Sequence, residues 1–293
     1  MHMNEVVNKY GMILNLTKRC DQHCDFCYLK EENIDIPLDN AMFIIEQHNN
    51  NLSQITLTGG EPFLYPHVKE ILAKVSSLKL KVNINTNAKF GIEKMISCCD
   101  STSVTFWISY SEYTTVNSCE IEILRSSGHK VFLSVPLIES LDDNLAELKK
   151  LTKSSDGILL LIPTPSPNNG ITIPGTHAWF HKLAWVIDNL KHYTDCIYYE
   201  PGYRKIIPNT QKRCLAGHDI HVNADGLSYP CCLVVERIPG NSEIVPISIE
   251  DDSCPLLFDL DQKASVGYQG ICPLFVRRLG VNGSGGYLDY LYY

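Results

Sequence analysis

The sequence predicts an α/β fold: a partial (β/α)6 barrel of parallel strands followed by a small cysteine-rich C-terminal domain. Three observations lead there. Short apolar runs alternate with amphipathic stretches from residue 11 to about residue 163, this alternation fades after residue 200, and five of the 12 cysteines lie beyond that point. Strand–helix alternation argues for parallel strands joined by crossover helices, and six strands suit an open, partial barrel better than a closed one of eight.

The strand runs are 11–16 (GMILNL), 54–58 (QITLT), 80–85 (LKVNIN), 103–109 (SVTFWIS), 130–137 (KVFLSVPL) and 158–162 (ILLLI). Each is short, rich in β-branched or aromatic residues, and bounded by polar or Gly/Pro punctuation. Helical spacing of apolar residues marks 38–49, 67–77, 90–98, 117–127 and 141–152, with Leu141, Leu145, Leu148 and Leu151 recurring at three and four residues. A Pro/Asn/Gly-rich stretch at 163–175 precedes one further helix, 176–191, carrying Trp179, Leu183, Val186, Ile187 and Leu190. The domains expected are therefore 1–200, the barrel, and 201–293, a segment with little apolar core that needs a metal for stability.

Composition narrows the function classes. Of 293 residues, 44% are hydrophobic and 20% charged, which is ordinary for a globular chain. No apolar run approaches the ~20 residues needed to cross a bilayer, and no cationic-then-apolar signal opens the chain. The chain reads as soluble and cytoplasmic, without a membrane partner. With 25 Lys+Arg against 33 Asp+Glu, a net charge of −8, it lacks the basic excess that phosphate contacts demand, so nucleic acid is not the expected partner. Twelve cysteines amount to about 4%, well below the roughly 8–10% of a disulfide scaffold. In a reducing compartment such clustered thiols are metal ligands or catalytic groups.

The first cluster is Cys20-x3-Cys24-x2-Cys27, directly after the first strand run. Three thiolates within eight residues can wrap one metal centre. Zinc sites normally close with four ligands, and His23 is the only further donor inside the run. A cubane iron–sulfur cluster held by three thiolates instead leaves one iron open for chemistry. Spacing alone leaves both readings standing.

Cys20-x3-Cys24-x2-Cys27, with an aromatic residue before the last cysteine, resembles the signature of the radical S-adenosylmethionine (radical SAM) superfamily. Gly59-Gly60-Glu61-Pro62, directly after the second strand run, is similar to that family's GGEP motif. The resemblance implies a 4Fe-4S cluster on Cys20, Cys24 and Cys27 whose free iron is chelated by SAM. One-electron reduction would then cleave SAM to methionine and a 5′-deoxyadenosyl radical. It also implies that Gly59, Gly60, Glu61 and Pro62 contact the methionine amino group, and that Phe26 packs near adenine. Asn85 and Asn87 match the family's turn at the barrel mouth. Ser109 matches the serine of a Ser-x-Asp-Gly motif, although Ser111 and Glu112 replace its Asp and Gly.

A second group begins with Cys214 and Cys231, which flank a stretch read as a hairpin: strand 220–223, an Asp225-Gly226 turn and a return strand. It resembles the start of the SPASM and Twitch modules of radical SAM enzymes. Only Cys254 and Cys272 follow as further separated candidates, so the resemblance implies one auxiliary iron–sulfur cluster, a 4Fe-4S centre, on Cys214, Cys231, Cys254 and Cys272. A zinc site on the same four is the alternative. Cys232 reads as a small buried hydrophobe, a replacement ligand or a hydrogen donor. Cys98, Cys99, Cys119 and Cys196 read as residues of helices or their ends.

The function implied is hydrogen abstraction from a peptide substrate: a crosslink, epimerisation or oxidation during ribosomal peptide maturation, with flavodoxin or ferredoxin as electron donor. The stretch before Cys20 is too short for a separate winged peptide-recognition domain, which weakens a leader-peptide mechanism. The alternatives are dehydrogenation of a small-molecule sugar or nucleoside substrate, and a non-enzymatic zinc or iron–sulfur protein. No residue is assigned as proton or hydrogen donor.

Overall fold

Every apolar run in the alternating region is a strand, and every amphipathic stretch between two of them contains a helix. The computed structural model describes residues 10–24, 27, 29, 32–99, 102–138, 141, 143–161, 176–199, 220–226 and 228–229. The strands are β1 (Tyr10–Thr17), β2 (Leu52–Gly59), β3 (Lys81–Thr86), β4 (Val104–Ser109), β5 (Lys130–Pro136) and β6 (Gly157–Leu161). The helices are α1 (Leu38–His48), α2 (Val68–Ser77), α3 (Ile92–Cys99), α4 (Ser118–Ser126), α5 (Leu145–Ser154) and α6 (Thr176–Leu190). Their ends fall within a few residues of the stretches read from sequence, apart from α5, whose periodic leucines begin with a turn at Leu141 before the helix starts.

Three further strands extend the sheet: β7 (Ile197–Tyr199), β8 (Ile220–Val222) and β9 (Ser228–Tyr229). The order across the sheet is β7-β6-β5-β4-β3-β2-β1-β8-β9. All neighbours from β7 to β8 run parallel, and β8 and β9 form the antiparallel hairpin expected around Asp225-Gly226. The sheet is open, with β7 and β9 at its edges, in agreement with a partial rather than a closed barrel. At three residues, β7 is too short to show a period, so nothing in its sequence marks it. The hairpin is local and legible, but its parallel pairing with β1, Met12↔Ile220 to Leu14↔Val222, joins segments about 200 residues apart. Cys214, Cys231, Cys254, Cys272 and most of 201–293 lie outside the described residues.

The strands bury one face against the helices. Met12, Leu14 and Leu16 of β1, Ile55 and Leu57 of β2, Ile84 of β3 and Phe106 and Ile108 of β4 form one core with Ile44, Ile45, Ile71, Leu72, Met95, Ile121, Leu124 and Leu148 of the helices. Alternate residues point to the opposite face. That face is polar and aromatic, with Asn15, Thr58, Asn83, Asn85, Trp107, Ser109 and Ser134 in successive strands. The Trp107 and Phe132 rings stack at 4.6 Å, and the indole N–H donates to Asn83 Oδ1 at 3.3 Å. Because the strands are parallel, their C-terminal ends lie along one rim, where α/β folds assemble ligand sites. No described helix is long and apolar enough to cross a membrane.

Helix α4 starts with a capping box. Asn117 Oδ1 accepts from Glu120 N–H at 3.1 Å, and Glu120 Oε2 accepts from Asn117 N–H at 2.8 Å. Asn117→Ala is expected to destabilise the protein by about 1 kcal/mol, and Asn117→Asp to retain most of that stability. Urea unfolding checks this: the midpoint should fall for the alanine variant with an unchanged denaturant slope.

Candidate active site

The rim above β1, β2 and β3 is built from the inside outward. Glu61, one residue past Gly60, is 1% exposed, so its carboxylate must find partners within the protein. It finds three. Oε1 accepts from the Thr86 hydroxyl at 2.8 Å and from Phe63 N–H at 3.2 Å, and Oε2 accepts from Asn87 N–H at 2.8 Å. Burial still outweighs these donors and pushes the carboxyl up to about 7, with Asp21 adding a smaller repulsion. Pro62 opens the short turn Pro62–Leu64 that the Glu61 side chain caps.

Gly59 and Gly60 are required by close backbone approach. Gly60 N–H donates to Thr17 O at 2.7 Å, and Glu61 N–H donates to Arg19 O at 2.8 Å. A Cβ on Gly59 would collide with the Thr17 carbonyl oxygen and one on Gly60 with that of Arg19. Gly59 also has φ +150°, which side chains rarely adopt.

The segment carrying the three thiols leaves β1 at this point and is clipped at its base. Thr17 pairs with Asp35 in an antiparallel bridge, Lys18 N–H donates to Ile34 O at 2.8 Å, and Ile36 N–H donates to Leu16 O at 3.0 Å. The Thr17 hydroxyl donates to Asp35 Oδ1 at 2.6 Å. Arg19 completes the clip: Nε and Nη2 hold the two Asp35 oxygens at 2.9 and 2.7 Å, and Nη2 also donates to Leu64 O at 2.7 Å.

Cys20, Cys24 and Cys27 are half-buried thiols, none of them in a disulfide. Burial pushes the Cys20 thiol up to about 11. The charges of Glu61, Asp21 and Cys27 add to this, and a hydrogen bond from the Gln22 backbone opposes it. Burial, then repulsion from Cys27 and Cys20, pushes Cys24 up to about 12, against a smaller opposing pull from Lys89. Three soft donors on one clipped segment, of which Cys20 and Cys24 are costly to ionise alone, fit a cationic thiophilic centre. The fit is one of donor type and of a shared segment, since no three His, Cys, Asp or Glu side chains among the described residues stand close enough to hold a single ion.

Asn87 joins this segment to β3. Its backbone N–H is on Glu61, while its side-chain Nδ2 donates to Asp21 Oδ1 at 2.7 Å and lies 3.9 Å from Cys20 Sγ. The structure thus brings Cys20, Glu61 and Asn87 together. Asn85 is exposed on the polar face, and Ser109 ends β4 half-buried; no hydrogen bond links either to that trio. Phe26 lies outside the described residues. Sequence reading passed over Thr86, Asp21 and the Arg19–Asp35 pair. Thr86 sits between the two flagged asparagines and could have been found as the inward-facing residue of the strand end, whereas the pairing of Arg19 with Asp35 has no local spacing that signals it.

Residues 14–105 match the radical SAM superfamily. The chain is similar to a 7-carboxy-7-deazaguanine synthase from Clostridium acetobutylicum, 26% identical over 136 residues, covering 45% of this chain and 59% of that protein. It is also similar to an S-adenosylmethionine-dependent nucleotide dehydratase from Flammeovirga pacifica, 25% identical over 142 residues, covering 44% and 45%. The alignments therefore span only about half the length of these curated relatives. Among solved structures, Streptococcus suis SuiB bound to S-adenosylmethionine superposes with a TM-score of 0.71 at 16% identity, covering 86% of this chain and 68% of that one. The anSMEcpe structure with bound AdoMet and a Cp18Cys peptide superposes with a TM-score of 0.57 at 13% identity, covering 78% and 75%. At these identities the likeness is one of fold.

Gly60→Ala is expected to force the Arg19 carbonyl aside and destabilise the protein by about 1–3 kcal/mol, read as a lowered thermal midpoint. Glu61 makes stability pH-dependent. Its folded value of about 7 lies above the ordinary 4.5, so its contribution is fully present below pH ~4.5 and is lost as pH rises towards ~7. Across that window the metal-free protein should lose roughly 3 kcal/mol that Glu61→Gln does not lose, measured by urea unfolding of both proteins at each pH.

Proposed function

We propose that this chain, which carries a radical SAM domain over residues 14–105, is an enzyme that cleaves S-adenosylmethionine reductively and abstracts a hydrogen atom from a peptide. The observation that carries the reading is the junction at the ends of β1, β2 and β3, where the segment of Cys20, the buried Glu61 carboxylate and Asn87 meet. Cys20, Cys24 and Cys27 would hold a 4Fe-4S cluster, which supplies an electron and an open iron position for SAM.

The protein's own groups have distinct tasks. Gly59 and Gly60 keep side chains away from the backbone where the methionine end of SAM would lie. Glu61, held at both oxygens, presents a carboxylate that a substrate ammonium would keep ionised. Pro62 fixes the turn behind it. Asn85 and Ser109 lie on the open polar face, where they would contact SAM, and Phe26 would contact its adenine. The strand face that carries Asn83 and Trp107 is the floor on which a substrate would lie.

The peptide reading draws on the SuiB structure bound to its precursor peptide SuiA, TM-score 0.69, and on the anSMEcpe structure with a bound peptide. Residues 201–293 would form the auxiliary domain, with a second cluster on Cys214, Cys231, Cys254 and Cys272, and residues 1–200 the barrel. A flavodoxin or ferredoxin in the cytoplasm would be the electron donor. A second reading, dehydrogenation of a small nucleoside or sugar, is favoured by the names of the two curated relatives, a deazaguanine synthase and a nucleotide dehydratase.

Anaerobically reconstituted protein with SAM and dithionite is expected to release 5′-deoxyadenosine, and Cys24→Ala to release none while keeping any iron bound elsewhere. A colourless protein that binds zinc and leaves SAM intact would refute the enzyme reading. Mass spectrometry of genome-neighbour peptides co-expressed with the protein separates the two substrate classes, since only the peptide reading predicts a mass change in them.

A further inference from the structure

Asn87 sits where three demands meet. Its backbone N–H serves Glu61 Oε2 at 2.8 Å, and its Oδ1 accepts from Lys89 N–H at 2.9 Å, closing a local turn. Neither bond uses the side-chain NH2. That Nδ2 donates to Asp21 Oδ1 at 2.7 Å and points at Cys20 Sγ at 3.9 Å, within reach of an N–H···S contact. Asn87 is buried, so water does not compete strongly for the amide. Asp21 is the residue next to Cys20, and its grip on Nδ2 aims the amide at the sulfur. The surroundings of that sulfur are otherwise rich in negative charge, with the Asp21 and Glu61 carboxylates nearby and the Gln22 backbone N–H as the other donor.

We propose that Asn87 is a positioning residue that tunes the reduction potential of the iron–sulfur centre through Cys20, its amide giving the sulfur a second N–H donor aimed by Asp21. This rests on the reading of Cys20 as a cluster ligand. An N–H donor draws electron density from a thiolate and so favours the reduced, more negative state of a cluster bound to it. The step concerned is the entry of one electron from an external one-electron reductant; no bond is made or broken, and no proton moves. The same residue also fixes Glu61 through its backbone, so the sulfur and the carboxylate are held in a constant relation by one amide group on each side of a single Cα.

The experiment is a dithionite titration of the anaerobically reconstituted full chain, without SAM, followed by electron paramagnetic resonance, with iron counted in each sample. Asn87→Ser keeps an oxygen that can serve the turn to Lys89 and keeps the backbone N–H on Glu61, but it has no donor long enough to reach Cys20. Its potential is expected to fall so that the ratio of reduced to oxidised cluster at a fixed potential drops about tenfold, ~59 mV for a one-electron couple. Asn87→Asp, which puts a carboxylate where the amide was, should fall further. Asn117→Ala, remote in helix α4, should leave the potential unchanged while lowering stability. Unchanged potentials in both Asn87 variants at full iron content overturn the proposal. Loss of iron from both also overturns it, because Asn87 would then be structural. A wild-type protein that yields no four-iron signal defeats the underlying ligand assignment, and does so before any variant is compared.

Discussion

A carboxylate buried at the tip of a sheet has to be surrounded by donors, and that need at Glu61 determines how the neighbouring strands end. Water cannot satisfy a group that is 1% exposed. The Thr86 hydroxyl and the Asn87 backbone supply two donors from β3 and its exit, and Phe63 supplies the third from the turn that follows Glu61 itself. Strand β3 must therefore end level with β2, and the parallel register Gln54↔Lys81 to Leu57↔Ile84 delivers it there. The backbone on the other side of Glu61 is tied to Thr17 and Arg19, which sets the level of β1. One buried group thus explains why three strand ends meet at a single point on the rim.

The electrostatics of that point are one-sided. Glu61, Asp21, Cys20, Cys24 and Cys27 are all acids, and burial makes Glu61, Cys20 and Cys24 resist ionisation. Lys89 reaches towards the same place, its Nζ donating to Asp21 O at 3.4 Å, while the Arg19 guanidinium is already engaged by Asp35 and Leu64. The rim therefore favours positive charge from outside the chain. A metal centre on the thiols and a cationic ligand at the carboxylate would each lower the cost of ionising the groups facing the other, because charges a few ångströms apart in a partly dry site interact strongly.

Much of this could be read from the amino-acid sequence, for reasons that differ from one element to another. Strands β1 to β6 were legible because each is long enough to show its apolar pattern and is followed by a helix with its own period. Gly59, Gly60 and Glu61 were legible because three special residues stand together at a strand end. Strand β7 was not legible, since three residues carry no pattern, and nor was the pairing of β8 with β1, since parallel pairing between distant segments leaves no local trace. The bond from Asn15 Nδ2 to Asn223 Oδ1 at 3.3 Å belongs to that pairing and was hidden with it. Thr86 looked like an ordinary strand residue, and its role appears only once β2 and β3 are placed side by side. Arg19 and Asp35 are 16 residues apart in sequence, a separation that no helix or hairpin rule links.

The clip at the base of the thiol-bearing segment, formed by Thr17, Lys18 and Arg19 with Ile34, Asp35 and Ile36, bears on the life history of the protein. It is made entirely of protein hydrogen bonds and an ion pair, so it closes during folding and needs no metal. The entropy of bringing the two ends of that segment together is spent then, rather than at any later binding event on the thiols. A chain that lost a centre bound there would keep its strands, its rim and the fixed base of that segment. Loading would then add a part to a standing frame rather than require the polypeptide to refold.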